Sequence, residues 1–169
     1  YILATSGSTG VPKGVILTHG NALAFVRWAA DRIGVQPGDR LSSHAPFHFD
    51  LSIFDLYVAA IREATLVIVP EAMASMGADL VAFVQQERIT TWYSVPSALI
   101  LMTRAAKEPE ALATLRTIVF AGEVFPLPRL RELRARAPDA ALWNLYGPTE
   151  TNVCTYLDVG DIPQGDEAS

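Results

Sequence analysis

Thr5-Ser6-Gly7-Ser8-Thr9-Gly10-Val11-Pro12-Lys13-Gly14, set between the apolar runs Tyr1–Ala4 and Val15–Leu17, decides the reading of this chain. Four hydroxyl side chains, three glycines and a lysine fall within ten residues. Glycine lets the backbone approach a ligand closely and turn its N–H groups inward. The hydroxyls add donors, and Lys13 adds a mobile positive charge suited to phosphate oxygens. The loop therefore has the composition of a polyphosphate cradle. It is not the phosphate loop of common nucleotide hydrolases, because Lys13 follows Pro12 and precedes Gly14 where that motif needs Gly-Lys-Ser/Thr. Gly7 and Gly10 do not make G-x-G-x-x-G either. Gly/Ser/Thr-rich loops also join strands with no ligand; the attached Pro12-Lys13-Gly14 tips the reading toward phosphate.

Outward from this loop, strands of β-branched and aromatic residues alternate with amphipathic helices. Tyr1–Thr5 and Gly14–Leu17 read as strands, and Thr18 caps a helix from His19 to Gly34. Strands follow at Asp39–Ala45, Thr65–Val69, Ile89–Tyr93, Leu115–Ala121 and Ala141–Leu145. Helices lie between them at Leu51–Arg62, Gly77–Glu87, Pro96–Ala105 and Pro126–Ala135. This alternation predicts an α/β fold, a mostly parallel sheet with helices on both faces. Ligands of such sheets collect beyond the carboxyl ends of the strands. Four predicted strands end there in polar motifs: the opening loop, His48–Asp50, Gly122-Glu123 and Tyr146–Glu150.

The chain has 169 residues, 50% hydrophobic and 18% charged, enough for one core. A net charge of −5 leaves no basic footprint for nucleic acid. Arg129, Arg131, Arg134 and Arg136 share a predicted helix with Glu132 and read as a solvated face. A single cysteine excludes an internal disulfide and a cysteine metal cluster, and fits a cytoplasmic setting. No apolar run is long enough to cross a bilayer. The absence of an initiator Met and the start on an apolar strand predict a piece that begins and ends inside a larger protein.

Asn144-Leu145-Tyr146-Gly147-Pro148-Thr149-Glu150-Thr151 is the second strong signal. Gly-Pro sets a tight turn after a strand, and the turn aims Tyr146, Thr149 and Glu150 at one point. A tyrosine ring offers a face for adenine, and a carboxylate beside a phosphate loop suits Mg²⁺. The two motifs, in this order, resemble those of the adenylate-forming (AMP-binding) enzymes, which include acyl-CoA synthetases, luciferases and the amino-acid-activating domains of peptide synthetases. The resemblance runs from the opening loop to Cys154. It implies that Thr5, Ser6, Gly7, Ser8, Thr9, Gly10 and Lys13 cradle the ATP phosphates. Tyr146 would stack on adenine, with Asn144, Gly122 and Glu123 along its edge. Thr149 would touch the α-phosphate, and Glu150 would hold Mg²⁺.

Asp50, in Phe49-Asp50-Leu51-Ser52, discriminates within the family. Amino-acid activators place an aspartate here to pair with the substrate ammonium, a contact costly to leave unmatched. As a bare residue Asp50 also reads as the N-cap of the helix that begins at Leu51. The implied acyl pocket is Asp50, Leu51, Phe54, Tyr93, Val119, Ala121, Leu145, Val153 and Cys154. Apart from Asp50 it carries no charge, so a charged substrate side chain would be left unpaired, and the large Phe54 and Tyr93 imply a small or compact apolar amino acid. The set, and the wording Phe120-Ala121-Gly122-Glu123-Val124-Phe125-Pro126, resemble stand-alone L-proline activators, although Phe54 stands where a smaller aliphatic residue is expected. D-alanine activators share the Gly-Glu-Val element. His48 reads as a loop residue, since a carboxylate is already ionised near neutral pH and needs no base. His19 and His44 are too dispersed for a metal triad, and Trp28, Trp92 and Trp143 read as core.

The resemblance implies an amino acid adenylating ligase, with Lys13, Thr149 and Glu150 at the reacting phosphate. It would use ATP and Mg²⁺, then pass the acyl group to a phosphopantetheine thiol on a carrier protein. Residues 1–169 would be part of the large N-terminal domain, without its N-terminal portion and without the C-terminal lid. The family's lid lysine has no counterpart, since the chain has only Lys13 and Lys107; the isolated piece is expected to be inactive. An acyl- or aryl-CoA ligase and a non-catalytic nucleotide-binding module remain alternatives at this point.

Overall fold

The structure, a computed structural model, describes residues 1–5 and 12–163. β1 (Ile2–Thr5) and β2 (Lys13–Ile16) pair antiparallel, with Thr5 opposite Lys13. They form a two-stranded ribbon of their own. This corrects the expectation that the opening strand ends at the edge of the same sheet as the other motifs. The connection from Thr5 to Lys13 is too short for a parallel crossover, which needs roughly a dozen residues or more, so the two strands pair with each other as a hairpin.

α1 (His19–Ile33) begins as its sequence dictates. Thr18 Oγ1 accepts from the Asn21 N–H at 3.2 Å, and Asn21 Oδ1 accepts from the Thr18 N–H at 3.0 Å. This reciprocal pair satisfies two donors that the first helical turn would leave open. Gly34 ends the helix in the left-handed region, at φ 77°.

The main sheet has six strands in the order β4-β3-β5-β6-β7-β8. β3 (Arg40–Ser43), β4 (Thr65–Ile68), β5 (Thr91–Ser94), β6 (Thr117–Phe120) and β7 (Ala141–Tyr146) are parallel. β8 (Thr155–Asp158) runs antiparallel to β7 on the edge and is exposed throughout. Strand β8 was not expected from the sequence, because Thr-Tyr-Leu-Asp shows no apolar alternation. The helices are α2 (Leu51–Ile61), α3 (Gly77–Gln86), α4 (Pro96–Ala105) and α5 (Leu127–Arg136). A short 3₁₀ turn at Glu71–Met73 also lay outside the sequence reading.

Period-two alternation sorts the strand residues onto two buried faces. Trp92, Ile118, Phe120 and Leu142 pack with Leu80, Val84, Leu99, Met102 and Leu133 of α3, α4 and α5. Leu41, Tyr93, Val119, Ala121, Trp143 and Leu145 pack with Phe25, Val26, Ala29, Phe54 and Val58 of α1 and α2. β5 and β6 are buried along their whole length, as central strands covered on both sides should be.

The arginines of α5 are half-exposed, as a solvated face requires, and three of them also reach neighbouring loops. Arg129 pairs with Glu132 at 2.7 Å. Arg134 donates to the carbonyls of Ala140 at 2.6 Å and Val159 at 2.9 Å. Arg131 donates to the Pro163 carbonyl and Arg136 to that of Lys107. Arg131, Arg134 and Arg136 thus bind carbonyls of neighbouring loops, which no helical periodicity encodes. Just before the amino end of β3, Asp39 accepts from the Gln36 N–H and Thr90 Oγ1, each at 2.8 Å, and from Arg116. Burial alone would raise the Asp39 carboxyl; these bonds outweigh it and hold the group below its ordinary value.

Asp55 is the opposite case. Its side chain is buried in α2, and neither carboxyl oxygen has a hydrogen-bond partner among the described residues. Burial pushes its pKa well above the ordinary value. A carboxyl raised on folding contributes fully below its unfolded pKa, and that stability is lost as pH rises toward the folded value. Asp55→Asn removes this loss. In the full-length protein, the thermal midpoint should fall less between pH 4 and pH 8 for Asp55→Asn than for the parent, which thermal melts across that range will check.

Candidate active site

Leu51, Phe54, Tyr93, Val119, Ala121, Leu145 and Val153 belong to a single apolar cluster. Leu51, Phe54, Tyr93, Val119 and Leu145 lie on α2, β5, β6 and β7, while Ala121 directly follows β6 and Val153 comes from the segment after β7. Phe54 and Tyr93 meet edge to face, ring centroids 5.2 Å apart at 79°. The cluster is tightly filled here, and Phe54 and Val119 are both 0% exposed. Burial above all, and then the Asp55 and Asp50 charges, push the Tyr93 phenol far above its ordinary value. Cys154 departs from this set: it is exposed, and its Sγ lies 3.5 Å from the Tyr146 carbonyl it donates to.

Asp50 stands at the mouth of this cluster, at the N-terminus of α2. It occupies the N-cap position, but its backbone is already helical (φ −64°, ψ −25°) and its side chain makes no capping hydrogen bond. Asp50 is therefore the N-cap by position, and its side chain does not cap the helix. Its carboxylate instead accepts from Thr149 Oγ1 at 2.8 Å, across 99 residues of sequence. Asn152 Nδ2 donates to the Asp50 carbonyl at 3.0 Å. Helix α2 and the segment after β7 are thus pinned together at one residue.

That segment owes its shape to Gly147 and Asn152. A Cβ on Gly147 would lie 2.7 Å from Val153 Cα and 2.8 Å from both Asn152 O and Cys154 N. Only glycine lets the backbone fold back on itself there. The fold is closed by the Cys154 N–H donating to the Tyr146 carbonyl at 2.9 Å. Asn152 takes φ 60°, a left-handed conformation that asparagine tolerates better than most residues. Sequence reading missed Asn152; an Asn four residues beyond a Gly-Pro turn was the available sign.

Tyr146, at the end of β7, is 69% exposed, so its ring face is open. Asn144 lies in register with Phe120, one residue before Ala121-Gly122, and is exposed. Gly122 adopts φ 88°. The Glu123 carboxylate accepts from the Ser97 N–H at 2.9 Å and from Ser97 Oγ at 3.1 Å. Pro96 opens α4 and lacks an N–H, so Ser97 is the first donor there, and a carboxylate suits a helix N-terminus. Glu123 is thereby a helix anchor beside the adenine edge assigned to it by sequence.

The ribbon of β1 and β2 lies against the same segment. Tyr1 and Leu17 share an open cavity of about 440 Å³ with Glu150, Asn152, Val153 and Cys154. Thr5 and Lys13 face each other where the described ribbon ends, both carried toward the connecting loop. Ser6, Gly7, Ser8, Thr9 and Gly10 lie outside the described residues. Glu150 is exposed and has no hydrogen-bond or ion-pair partner among the described residues. No group of three or more His, Cys, Asp or Glu that could hold a metal occurs among them. A lone carboxylate fits Mg²⁺ of the kind held by one or two protein oxygens plus phosphate and water. No helix of the described residues is long and apolar enough to cross a membrane.

These features have counterparts in known proteins. The L-proline--[L-prolyl-carrier protein] ligase of Pseudomonas fluorescens Pf-5 is 55% identical over 163 residues, which is 96% of this chain and 33% of the relative. A D-alanine--D-alanyl carrier protein ligase of Bacillus cereus G9842 is 39% identical over 90% of this chain and 31% of its own length. The chain therefore spans about a third of the length of the curated relatives it matches. Among solved structures, the AMPPNP-bound form of the nonribosomal peptide synthetase FmoA3 superposes with a TM-score of 0.89 at 32% identity, over 97% of this chain and 18% of that one. The profile of the AMP-binding enzyme family matches residues 1–169. With its parallel sheet, its hairpin loop and its Tyr146–Glu150 corner, the chain belongs to the AMP-binding enzyme family.

Proposed function

We propose that the full-length protein activates an amino acid with ATP and transfers it to a carrier protein, and that the amino acid is L-proline. The observation that carries this reading is the position of Asp50: a carboxylate beside a filled apolar cluster, bonded to Thr149 of the nucleotide motif. The ammonium of an amino acid pairs with Asp50, while its side chain enters between Leu51, Phe54, Tyr93, Val119, Ala121, Leu145 and Val153. A cationic or anionic side chain would be left unpaired there. The large, buried Phe54 and Tyr93 side chains leave little room in this cluster, which favours a compact apolar group such as a pyrrolidine ring. The 55% identical proline carrier-protein ligase supports the same choice.

The substrate carboxylate attacks the α-phosphorus of ATP. An oxygen–phosphorus bond forms as the bond to the β-phosphate oxygen breaks, giving aminoacyl adenylate and pyrophosphate. Lys13, Thr149 and the loop of Thr5 to Gly10 orient the phosphates and stabilise the charge on the five-coordinate phosphorus. Mg²⁺ on Glu150 would supply further charge neutralisation when bound. Tyr146, with Asn144 and the Gly122-Glu123 backbone, holds adenine. A phosphopantetheine thiol on the carrier protein then attacks the acyl carbon and releases AMP. In this reading residues 1–169 form part of the large adenylation domain, completed elsewhere in the protein by its remaining portion and a lid.

The test is pyrophosphate exchange by the full-length enzyme, measured across the protein amino acids and a panel of fatty and aryl acids. Exchange should occur with L-proline and not with acids lacking an amine. Exchange only with a fatty or aryl acid would make the protein an acyl- or aryl-CoA ligase. No exchange with any acid would make it a nucleotide-binding module without turnover. Either result overturns the reading.

A further inference from the structure

The bond between Asp50 and Thr149 joins two groups to which the proposed function gives separate ligands. Thr149 Oγ1 carries a single proton, and that proton is donated to the Asp50 carboxylate at 2.8 Å. An α-phosphate oxygen is also an acceptor only, so it competes for the same proton. The Thr149 hydroxyl can serve the carboxylate or the phosphate, but not both at once. The rest of the junction does not exchange, because Asn152 holds Asp50 through the backbone carbonyl at 3.0 Å. Asp50 has no capping bond to fall back on.

We infer that Thr149 is a positioning residue that couples ammonium binding at Asp50 to nucleotide binding, by moving its one proton from the carboxylate to the α-phosphate. Resting on the amino-acid reading, this inference concerns how the two halves of that site communicate. An arriving ammonium neutralises Asp50 and weakens its hold on Thr149, which frees the hydroxyl for phosphate. A nucleotide arriving first takes the hydroxyl and leaves Asp50 short of a donor that the ammonium then supplies. Both orders give the same sign, as reciprocity requires: each ligand tightens the other.

Calorimetric titration of the full-length enzyme with L-proline, with and without α,β-methylene-ATP and Mg²⁺, measures this coupling. That analogue cannot be cleaved between its α- and β-phosphates, so no adenylate forms. Nucleotide should tighten L-proline by about fivefold or more, the lower end of typical coupling. In Thr149→Val the tightening should vanish, while the affinity for L-proline alone is kept or improved. A merely structural role for Thr149 would instead weaken L-proline in both conditions. Thr149→Ser should restore the coupling.

The reciprocal titration needs no variant. L-proline should tighten the nucleotide analogue, and cyclopentanecarboxylic acid, the same ring without an amine, should not. Absence of coupling in the parent, persistence in Thr149→Val, or equal effects of the two acids overturns the inference and leaves the amino-acid reading standing. Failure of L-proline to bind under any condition removes that reading and, with it, this inference.

Discussion

Asp50→Ala in the full-length enzyme should lower amino-acid-dependent pyrophosphate exchange on the order of a hundredfold or more, the usual result of truncating one partner of a desolvated charge pair. The loss arises because the other carboxyl beside the cluster, Asp55, is buried and pushed toward its neutral form, so it does not replace Asp50 as the ammonium's partner. Asp50→Asn separates charge from shape. Its amide oxygen can still accept from Thr149, and its backbone carbonyl can still accept from Asn152, so the junction of α2 with the segment after β7 is preserved. Exchange should nonetheless collapse in Asp50→Asn, while ATP without amino acid still binds, as tightly as in the parent or tighter, because the neutral amide holds the Thr149 hydroxyl less strongly. Exchange by Asp50→Ala at the parent's rate would leave Asp50 without its ammonium role.

Gly147→Ala should be nearly as damaging, for a reason of space. The added Cβ would fall within 2.7–2.8 Å of three backbone atoms, and no rotamer change relieves a clash with backbone. The turn must open, which strains the bond from the Cys154 N–H to the Tyr146 carbonyl and displaces Thr149, Glu150 and Asn152 together. Overpacking of this kind costs about 1–3 kcal/mol, and mispositioning at a reacting site adds a rate loss of about a hundredfold. Gly160→Ala is the control, since a Cβ there meets nothing within 4 Å. Thermal melts and exchange rates of the two variants should differ sharply; like behaviour would mean that the close approach at Gly147 does not shape the site.

Much of this architecture was legible in the sequence because its signals are local. Thr18 with Asn21, and Gly34 at the far end, mark α1 by capping chemistry alone. The family resemblance already grouped Leu51, Phe54, Tyr93, Val119, Ala121, Leu145 and Val153, and the structure packs these residues in one cluster. Boundaries moved by only one or two residues at most ends; Asp39–Ala45, for example, shortens to Arg40–Ser43. What was not legible depends on contacts between distant segments. The Asp50–Thr149 bond, the Glu123 anchor on α4 and the carbonyl partners of Arg134 follow from tertiary placement. So does β8, an edge strand that shows no alternation because none of its residues is buried. The separate β1–β2 ribbon was misplaced because a strand ending in a glycine-rich loop looks the same in either sheet.

A crystal structure of the full-length enzyme with L-proline, α,β-methylene-ATP and Mg²⁺ tests most directly whether one cleft serves both ligands. The account predicts the proline nitrogen within about 3 Å of the Asp50 carboxylate. Adenine should lie on the Tyr146 ring, the metal on Glu150, and the phosphates beneath the loop that joins Thr5 to Lys13. A nucleotide bound away from Tyr146 and Lys13, or a proline whose nitrogen does not meet Asp50, would contradict it.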